Sequence, residues 1–403
     1  MPKKILLLGG THFQIPSVKT AKRMGYYTIT CDYSPNNPGH KFADEYHNVS
    51  TTDKEAVLQL AQKLKIDGIV CYASDPAALT AAYVAEKMEL PGQPYKSVEI
   101  LSNKDLFRDF LSKNGFHVPK AIGFTSIEDG EKAWDSFKKP VMVKPVDSSG
   151  SKGVSKVEKL EDLESKIAYA LTFSRNKRFI IEEYVEKFGY QIAGDGFSVN
   201  GRLVFRCFAN DHFNLSSGNP FVPIAASWPY NMPKYIHDKI HTEVQRLFDL
   251  LEMSTGAYNF DIRIDKDENV YLMEVAPRNG GNLIDQVIHY ATGVDLVEYT
   301  INAALGEDCS NLKMIEPDGF WSCYVVHSKV AGILEKVEFS DDFRNNNIIE
   351  FEMLFHPGDR VDAFNGSNGT LGTMILKFAS ETEMLEKMDH MDNYVRVITK
   401  KLV

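Results

Sequence analysis

Cysteine is scarce and scattered in this chain: five in 403 residues (Cys31, Cys71, Cys207, Cys309 and Cys323), with no C-x-x-C pair. That argues against a disulfide framework or a Cys-based zinc site and fits reduced thiols. Long uncharged apolar runs are also missing, and KKILLLGG after the first residues is too short for a secretory signal. A cytoplasmic protein without membrane contact is the expectation. An excess of basic residues is absent too: 45 Lys and Arg face 55 Asp and Glu, a net charge of −10. Nucleic acid is thereby disfavoured as a partner, because phosphate backbones bind through clustered cations. Two phosphate-binding signatures are lacking as well. Gly9 and Gly10 are followed by THFQ, so G-x-G-x-x-G is not met, and no register of residues 143–157 supplies G-x-x-x-x-G-K-[ST].

What is present is ordinary globular composition, 43% hydrophobic and 25% charged, in a chain long enough for two or three domains. KKILLLGG, SVKTAKRMG and YTITCDY read as strand, helix and strand, and the scheme recurs through IVCYASD and AALTAAYVAEKMEL. Residues 1–95 are therefore expected to form a doubly wound parallel α/β domain, ended by LPGQP. A helix with Ser102 as N-cap and Gly115 past its end follows, and VNG at 199–201 signals a hairpin. From 306 to 403 short strands and turns predict a small β-rich domain, making the chain mixed α/β and α+β.

Two stretches carry chemistry. If KDEN turns a hairpin, residues summing to 535 lie opposite each other, so Asp261 faces Glu274, with Phe260, Ile262 and Ile264 on the other face. Directly opposed carboxylates repel unless something positive lies between them, and Mg2+ shared with nucleotide phosphates fits hard oxygen ligands. An ordinary solvated face neutralised by Arg263 is the alternative. The second stretch is VKPVDSSGSKGV, where Lys144 follows alternating Val141 and Val143, and Ser148 to Gly153 offers hydroxyls and backbone N–H groups. By composition alone it reads equally as a solvated loop. His212, after the strand LVFRCFA, is a candidate near an acceptor or a structural histidine.

Together SNK (102–104), VKPVDSSGSKGV (143–154), IIEEYV (180–185) and FD…MEVAPRNGG (260–281) resemble the ATP-grasp superfamily along nearly the whole chain. The resemblance implies an ATP-grasp domain at 96–305 with a lid at about 119–186. Lys104 and Lys144 would hold ATP phosphates, with Ser148, Ser149, Gly150, Ser151 and Gly153 closing over them. Glu182 and Val185 would bind adenine beside Met142 and Leu272, Gln191 the ribose, and Asp261 and Glu274 the metal, Mg2+ or Mn2+. Lys144 and Arg278 would serve catalysis, Arg278 stabilising an acyl-phosphate or tetrahedral species. The implied reaction joins a small carboxylate to an amine with release of ADP and phosphate. Phosphoribosylglycinamide synthetase-like, carboxyphosphate-forming and non-catalytic readings are the alternatives, and homodimers occur among relatives. Two departures stand out: Ala276 where the family often has a metal-binding Asn, and Gln191 where it commonly has Glu. Asn279 and Asn282 are candidate substitutes for the missing Asn.

Overall fold

The computed structural model describes residues 2–214 and 218–401. Its first sheet is parallel and four-stranded, in the order Glu45–His47, Tyr27–Cys31, Lys4–Leu8, Gly68–Cys71. The strands are nearly continuous apolar runs because both faces are covered. Leu6, Leu8, Ile29 and Ile69 pack with Val57, Leu60 and Ala77 of the helices Lys54–Leu64 and Asp75–Lys87. Ile5, Leu7 and Val70 pack instead against the helix Ile15–Arg23 and against Val297 and Ile301 of the distant helix Leu296–Ala304. That second contact is close: a Cβ on Gly68 would lie 2.5 Å from the Ala304 carbonyl oxygen, so only glycine fits there.

The boundary after LPGQP differs from the expectation. Ser102 ends a helix, Tyr95–Ser102, and the next helix, Lys104–Lys113, starts from an extended Asn103 (φ −119°, ψ 111°). This break lets the Lys104 N–H donate to the Val146 carbonyl at 2.9 Å, tying the helix start to the lid. The lid is a four-stranded antiparallel sheet, ordered Ala121–Phe124, Phe179–Glu183, Val141–Pro145, Ser155–Val157. It has its own core, in which Val141, Val143, Phe179 and Ile181 meet Leu163 and Ile167 of the helix Leu160–Phe173.

The central sheet has eight strands, in the order Val270–Ala276, Gly256–Ile264, Gln191–Val199, Arg202–Phe213, Pro223–Trp228, Phe320–His327, Thr370–Phe378, Ile348–Met353. The VNG hairpin is a two-residue turn with Asn200 at φ +50° and Gly201 at φ +79°, both left-handed as a type I′ turn requires. The helix Lys234–Leu250 buries Ile236, Ile240, Val244 and Leu247 against Phe208, Tyr258, Phe260 and Ile262 of this sheet. The last hundred residues do not stand apart. Three of their strands extend the central sheet, giving Pro223–Trp228 a partner on its otherwise open edge. Gly332–Phe339, Arg360–Val361 and Val395–Lys400 form a small sheet of their own. Among the described residues no helix is long and apolar enough to cross a membrane.

Candidate active site

A cleft separates the lid from the central sheet. On the lid side, strand alternation buries Val141 and Val143 and turns Met142 and Lys144 into the cleft. The Lys144 ammonium is paired with Glu182 Oε1, while Glu182 Oε2 accepts from Arg108 Nε at 2.9 Å. Burial pushes the Glu182 carboxyl up, but the Arg108 and Lys144 charges outweigh it and bring the group down to about 2. Burial lowers the Lys144 pKa, and the Glu182 charge offsets this only partly. Glu182 lines the cleft, as expected of a base-binding residue, with one oxygen paired to Lys144 and the other to Arg108 of the helix Lys104–Lys113. Val185 lines the cleft, with its carbonyl accepting from Arg263 Nη1 at 2.9 Å.

Ser148, Ser149, Gly150 and Ser151 line the same cleft, and the loop is fastened across it. Ser151 Oγ donates to the Phe221 carbonyl at 2.7 Å, and Asn219 Nδ2 donates to the Ser151 carbonyl at 3.0 Å. Gly153 is placed differently from the expectation. It sits at φ +73°, where a Cβ would meet Phe173 at 3.0 Å and Ala170 at 3.1 Å, so it seats the loop on the lid helix and faces away from the cleft.

On the sheet side the expected pairing of Asp261 with Glu274 is present. The register is not uniform, however. A bulge at Met273 puts Ile262 opposite Leu272, one residue short of the pairing read from the turn. Leu272 is therefore rotated into the core with Ile262, and Met273 takes the cleft position expected of Leu272. Asp261 Oδ1 is buried and has no hydrogen-bond partner. Burial pushes Asp261 up to about 6, with Glu274 adding to the rise and Arg263 opposing it. Glu274 moves the other way: burial raises it, but Lys104, whose Nζ lies 3.1 Å from its Oε2, prevails and lowers it. Lys104 Nζ also donates to the Ser148 carbonyl at 3.0 Å. Arg263 lowers Asp261 through its charge but forms no direct ion pair with either carboxylate. Its Nε donates to Gln191 Oε1 at 2.9 Å, and Gln191 Nε2 donates to Asp211 Oδ2 at 3.3 Å. Asp211 is pushed up to about 8 by burial and by the Asp261 charge.

No group of three or more His, Cys, Asp or Glu side chains gathers as a metal cage among the described residues. The orphaned Asp261 oxygen and the hard donors fit an ion shared with phosphate oxygens and water, as Mg2+ prefers. Beside the cleft, and meeting it at Lys104, Ser148 and Glu274, lies a cavity of 470 Å3 between lid and first sheet, also lined by Lys54, Asp75, Arg175 and Ala276. Arg278 Nε donates to Asp75 Oδ1 at 2.7 Å, which fixes the guanidinium at this junction. Asn279 Oδ1 accepts from Thr300 at 2.8 Å, so that oxygen is already engaged. Its Nδ2, Asn282 Oδ1 and Gln286 Oε1 are buried without partners, whereas burial and then the neighbouring Asp195 raise Asp285 well above the usual carboxylate range, against a hydrogen bond from Tyr72. His212 stays out of the cleft: Nδ1 bonds Asp389 at 2.9 Å and Nε2 bonds the fully buried Ser227 at 2.8 Å, joining the central sheet to the helix Glu381–Asp389.

Arg108, Asp75, Asp211 and Met273 escaped sequence reading. Arg108 had a signal, since it lies one helical turn after Lys104 on the same face.

The family model described as ATP-grasp domain matches residues 137–286. This segment is similar to an ATP-grasp domain. It holds Lys144, the loop, Glu182, Asp261, Glu274 and Arg278, whereas Lys104, Arg108 and Asp75 come from outside it. The carbamoyl phosphate synthase large chain of Clostridium acetobutylicum is 24% identical over 77% of this chain and 30% of its own length. The chain thus spans about a third of that relative or less. A formate-dependent phosphoribosylglycinamide formyltransferase of Prochlorococcus marinus is 30% identical over 47% of this chain and 50% of its own. Among solved structures, the L-amino acid ligase of Bacillus licheniformis superposes with a TM-score of 0.80 at 20% identity, covering 99% of both chains. The phosphoribosylglycinamide synthetase of Anaerococcus prevotii gives 0.75 at 22%, covering 99% of this chain and 100% of its own. These two likenesses show a shared fold that extends over both flanking segments.

Proposed function

We propose that the chain is an ATP-dependent, ADP-forming ligase that activates a small carboxylate as an acyl-phosphate and joins it to an amine. The observation that carries this reading is the Asp261–Glu274 pair, with its orphaned oxygen, facing Lys104, Lys144 and the Ser148–Ser151 loop. Mg2+, or Mn2+ in its place, would be held by these carboxylates and would neutralise charge on the transferring phosphoryl group. Lys104 and Lys144 supply the remaining positive charge, and the loop excludes water while ATP donates its terminal phosphoryl to the carboxylate. Met142, Val185 and Met273 offer the apolar end for the base. Arg278 brings positive charge close to Asp75 of the adjoining cavity, but with Nε and Nη2 paired to Asp75 and Nη1 donating to the Asn279 carbonyl at 2.9 Å it would meet carboxylate or phosphoryl oxygens by exchanging one of these partners. The 470 Å3 cavity gives the substrates room beside the phosphate end. The likeness to a protein named an L-amino acid ligase supports a ligase reading.

A binding module without turnover is the second reading, favoured by Ala276 at the place of a further metal ligand. One experiment separates the two: ADP release from Mg·ATP with hydroxylamine to trap an acyl-phosphate as hydroxamate. The protein is challenged with amino acids and small carboxylic acids, then glycine with phosphoribosylamine, then bicarbonate with ammonia. ADP release together with hydroxamate in a carboxylic-acid pool is the expected result. ATP binding with no ADP release in any pool contradicts the ligase reading.

A further inference from the structure

The C-terminal segment holds a cavity of 330 Å3 that shares no lining residue with the cleft. It lies where the end of the strand Phe320–His327 faces the strand Val395–Lys400 of the small sheet. A space of this size takes a small organic molecule. Val330, Val395, Val397 and Ile398 give it an apolar wall. Its polar groups divide into those already satisfied and those left over. Lys329 and Asp392 answer each other at 2.5 Å. His327 is engaged at both nitrogens: Nδ1 donates to the Val325 carbonyl at 2.9 Å and Nε2 accepts from Asn214 Nδ2 at 3.1 Å, while burial lowers its pKa. Tyr324 is different. It is 4% exposed, its hydroxyl makes no hydrogen bond among the described residues, and burial raises its pKa, so it stays a neutral donor without a partner. Arg396 makes no ion pair among the described residues either, because Glu338, opposite it in the ladder, is taken by Lys336 at 2.6 Å. A free hydroxyl, an uncompensated guanidinium and an aliphatic wall suit a carboxylate on a compact apolar body. An amine would find no carboxylate to receive it, since Asp392 is held by Lys329.

Direct contacts join this cavity to the loop over the phosphate end of the cleft. The His327 ring packs on Phe364 at 4.7 Å between centroids. The Phe364 carbonyl lies so near Gly218 that a Cβ there would be 3.3 Å from it, and the next residue, Asn219, donates to the Ser151 carbonyl at 3.0 Å. We propose that the cavity is a regulatory site for a small carboxylate with a branched apolar body, seated by Tyr324 and Arg396, and that its occupancy raises ATP affinity through His327 and Phe364. A ligand packed against His327 fixes the ring that holds Asn214 and Phe364, and so favours the clasped loop. The regulatory half rests on the nucleotide reading of the cleft; the binding half does not.

The test is calorimetric titration of the full chain without nucleotide, using 4-methylpentanoate, with acetate and 4-methylpentanamide as probes lacking the apolar body or the charge. Saturable binding of 4-methylpentanoate with a Kd of about 1 mM or tighter is expected, with each control weaker by about tenfold. The cleft itself is proposed to take carboxylates, so the site is assigned by variants outside it. Arg396→Gln and Tyr324→Phe are each expected to weaken 4-methylpentanoate by about five- to tenfold while circular dichroism stays native. No binding to the native protein, equal binding of either control, or undiminished binding in both folded variants overturns the site. ATP is then titrated with and without saturating 4-methylpentanoate. Its affinity is expected to rise about threefold in the native protein and to stay unchanged in Arg396→Gln at the same probe concentration. An unchanged ATP affinity in the occupied native protein overturns the regulation and leaves the site standing. A protein that binds no ATP overturns the nucleotide reading and with it the regulation, while the titration without nucleotide still decides the site.

Discussion

The two walls of the cleft treat buried charge in opposite ways. In the lid wall Glu182 is 1% exposed and fully neutralised, with Lys144 on one oxygen and Arg108 on the other. In the sheet wall Asp261, Glu274 and Asp211 gather with less compensation: one oxygen of Asp261 has no partner, and both aspartates are pushed toward their protonated forms. The lid wall is satisfied once Arg108, from the helix Lys104–Lys113, reaches into it. The sheet wall leaves a buried acceptor unmatched, and it is the wall whose strands hold the hairpin legible from sequence. A buried pair that is satisfied points to architecture, and one that is not points to a ligand.

The largest effect expected from breaking this contrast is at Glu274. Glu274→Gln keeps volume and removes charge, and should reduce Mg2+-dependent ADP release by about a thousandfold while unfolding cooperatively at a native temperature. Turnover within a few-fold of native would sink the metal role. Glu182→Gln acts on the other wall by a different route. It leaves Lys144 and Arg108 buried with half their compensation, and should cost about 3 kcal/mol of stability in denaturant unfolding at pH 7. Because the Glu182 pKa is depressed in the fold, its contribution is complete above the unfolded carboxyl value near 4.5 and is lost as pH falls toward about 2. The gap between native and variant stability should therefore narrow over that window, and a gap independent of pH would contradict the pairing.

Leu272→Ala is expected to cost about 2–5 kcal/mol by opening a core cavity while ATP affinity is unchanged, whereas Met273→Ala should weaken ATP with a smaller stability loss. The reverse pattern would restore the unbulged register. The smallest effect is Lys144→Ala, expected to weaken ATP about tenfold by equilibrium titration, since Lys104 and the metal keep most of the positive charge. Unchanged affinity would assign Lys144 to the lid wall alone.

The architecture was largely legible because its signals are local. KILLL, YTITC and GIVC are short apolar runs set between amphipathic helices, and VNG specifies its own turn. The Asp261–Glu274 pairing was legible from the hairpin, but the bulge was not, since a single inserted residue leaves no periodic trace, and Leu272 was consequently misassigned. What sequence could not give was contact between distant segments. Arg108 reaches Glu182 across 74 positions and Arg278 reaches Asp75 across 203, and both determine what a site residue is free to do. The same holds for the C-terminal strands: nothing local in their turn-rich sequence marks the three that extend the central sheet from Pro223–Trp228.

The central claim is that the sheet wall is finished by a divalent cation bound together with ATP. It is tested most directly by titrating ATP into the native protein and into Asp261→Asn, each with Mg2+ and with EDTA. Native affinity is predicted to rise at least about tenfold with Mg2+, and that gain is predicted to vanish in the variant. ATP binding that ignores Mg2+ in the native protein, or a gain that survives in Asp261→Asn, would contradict it.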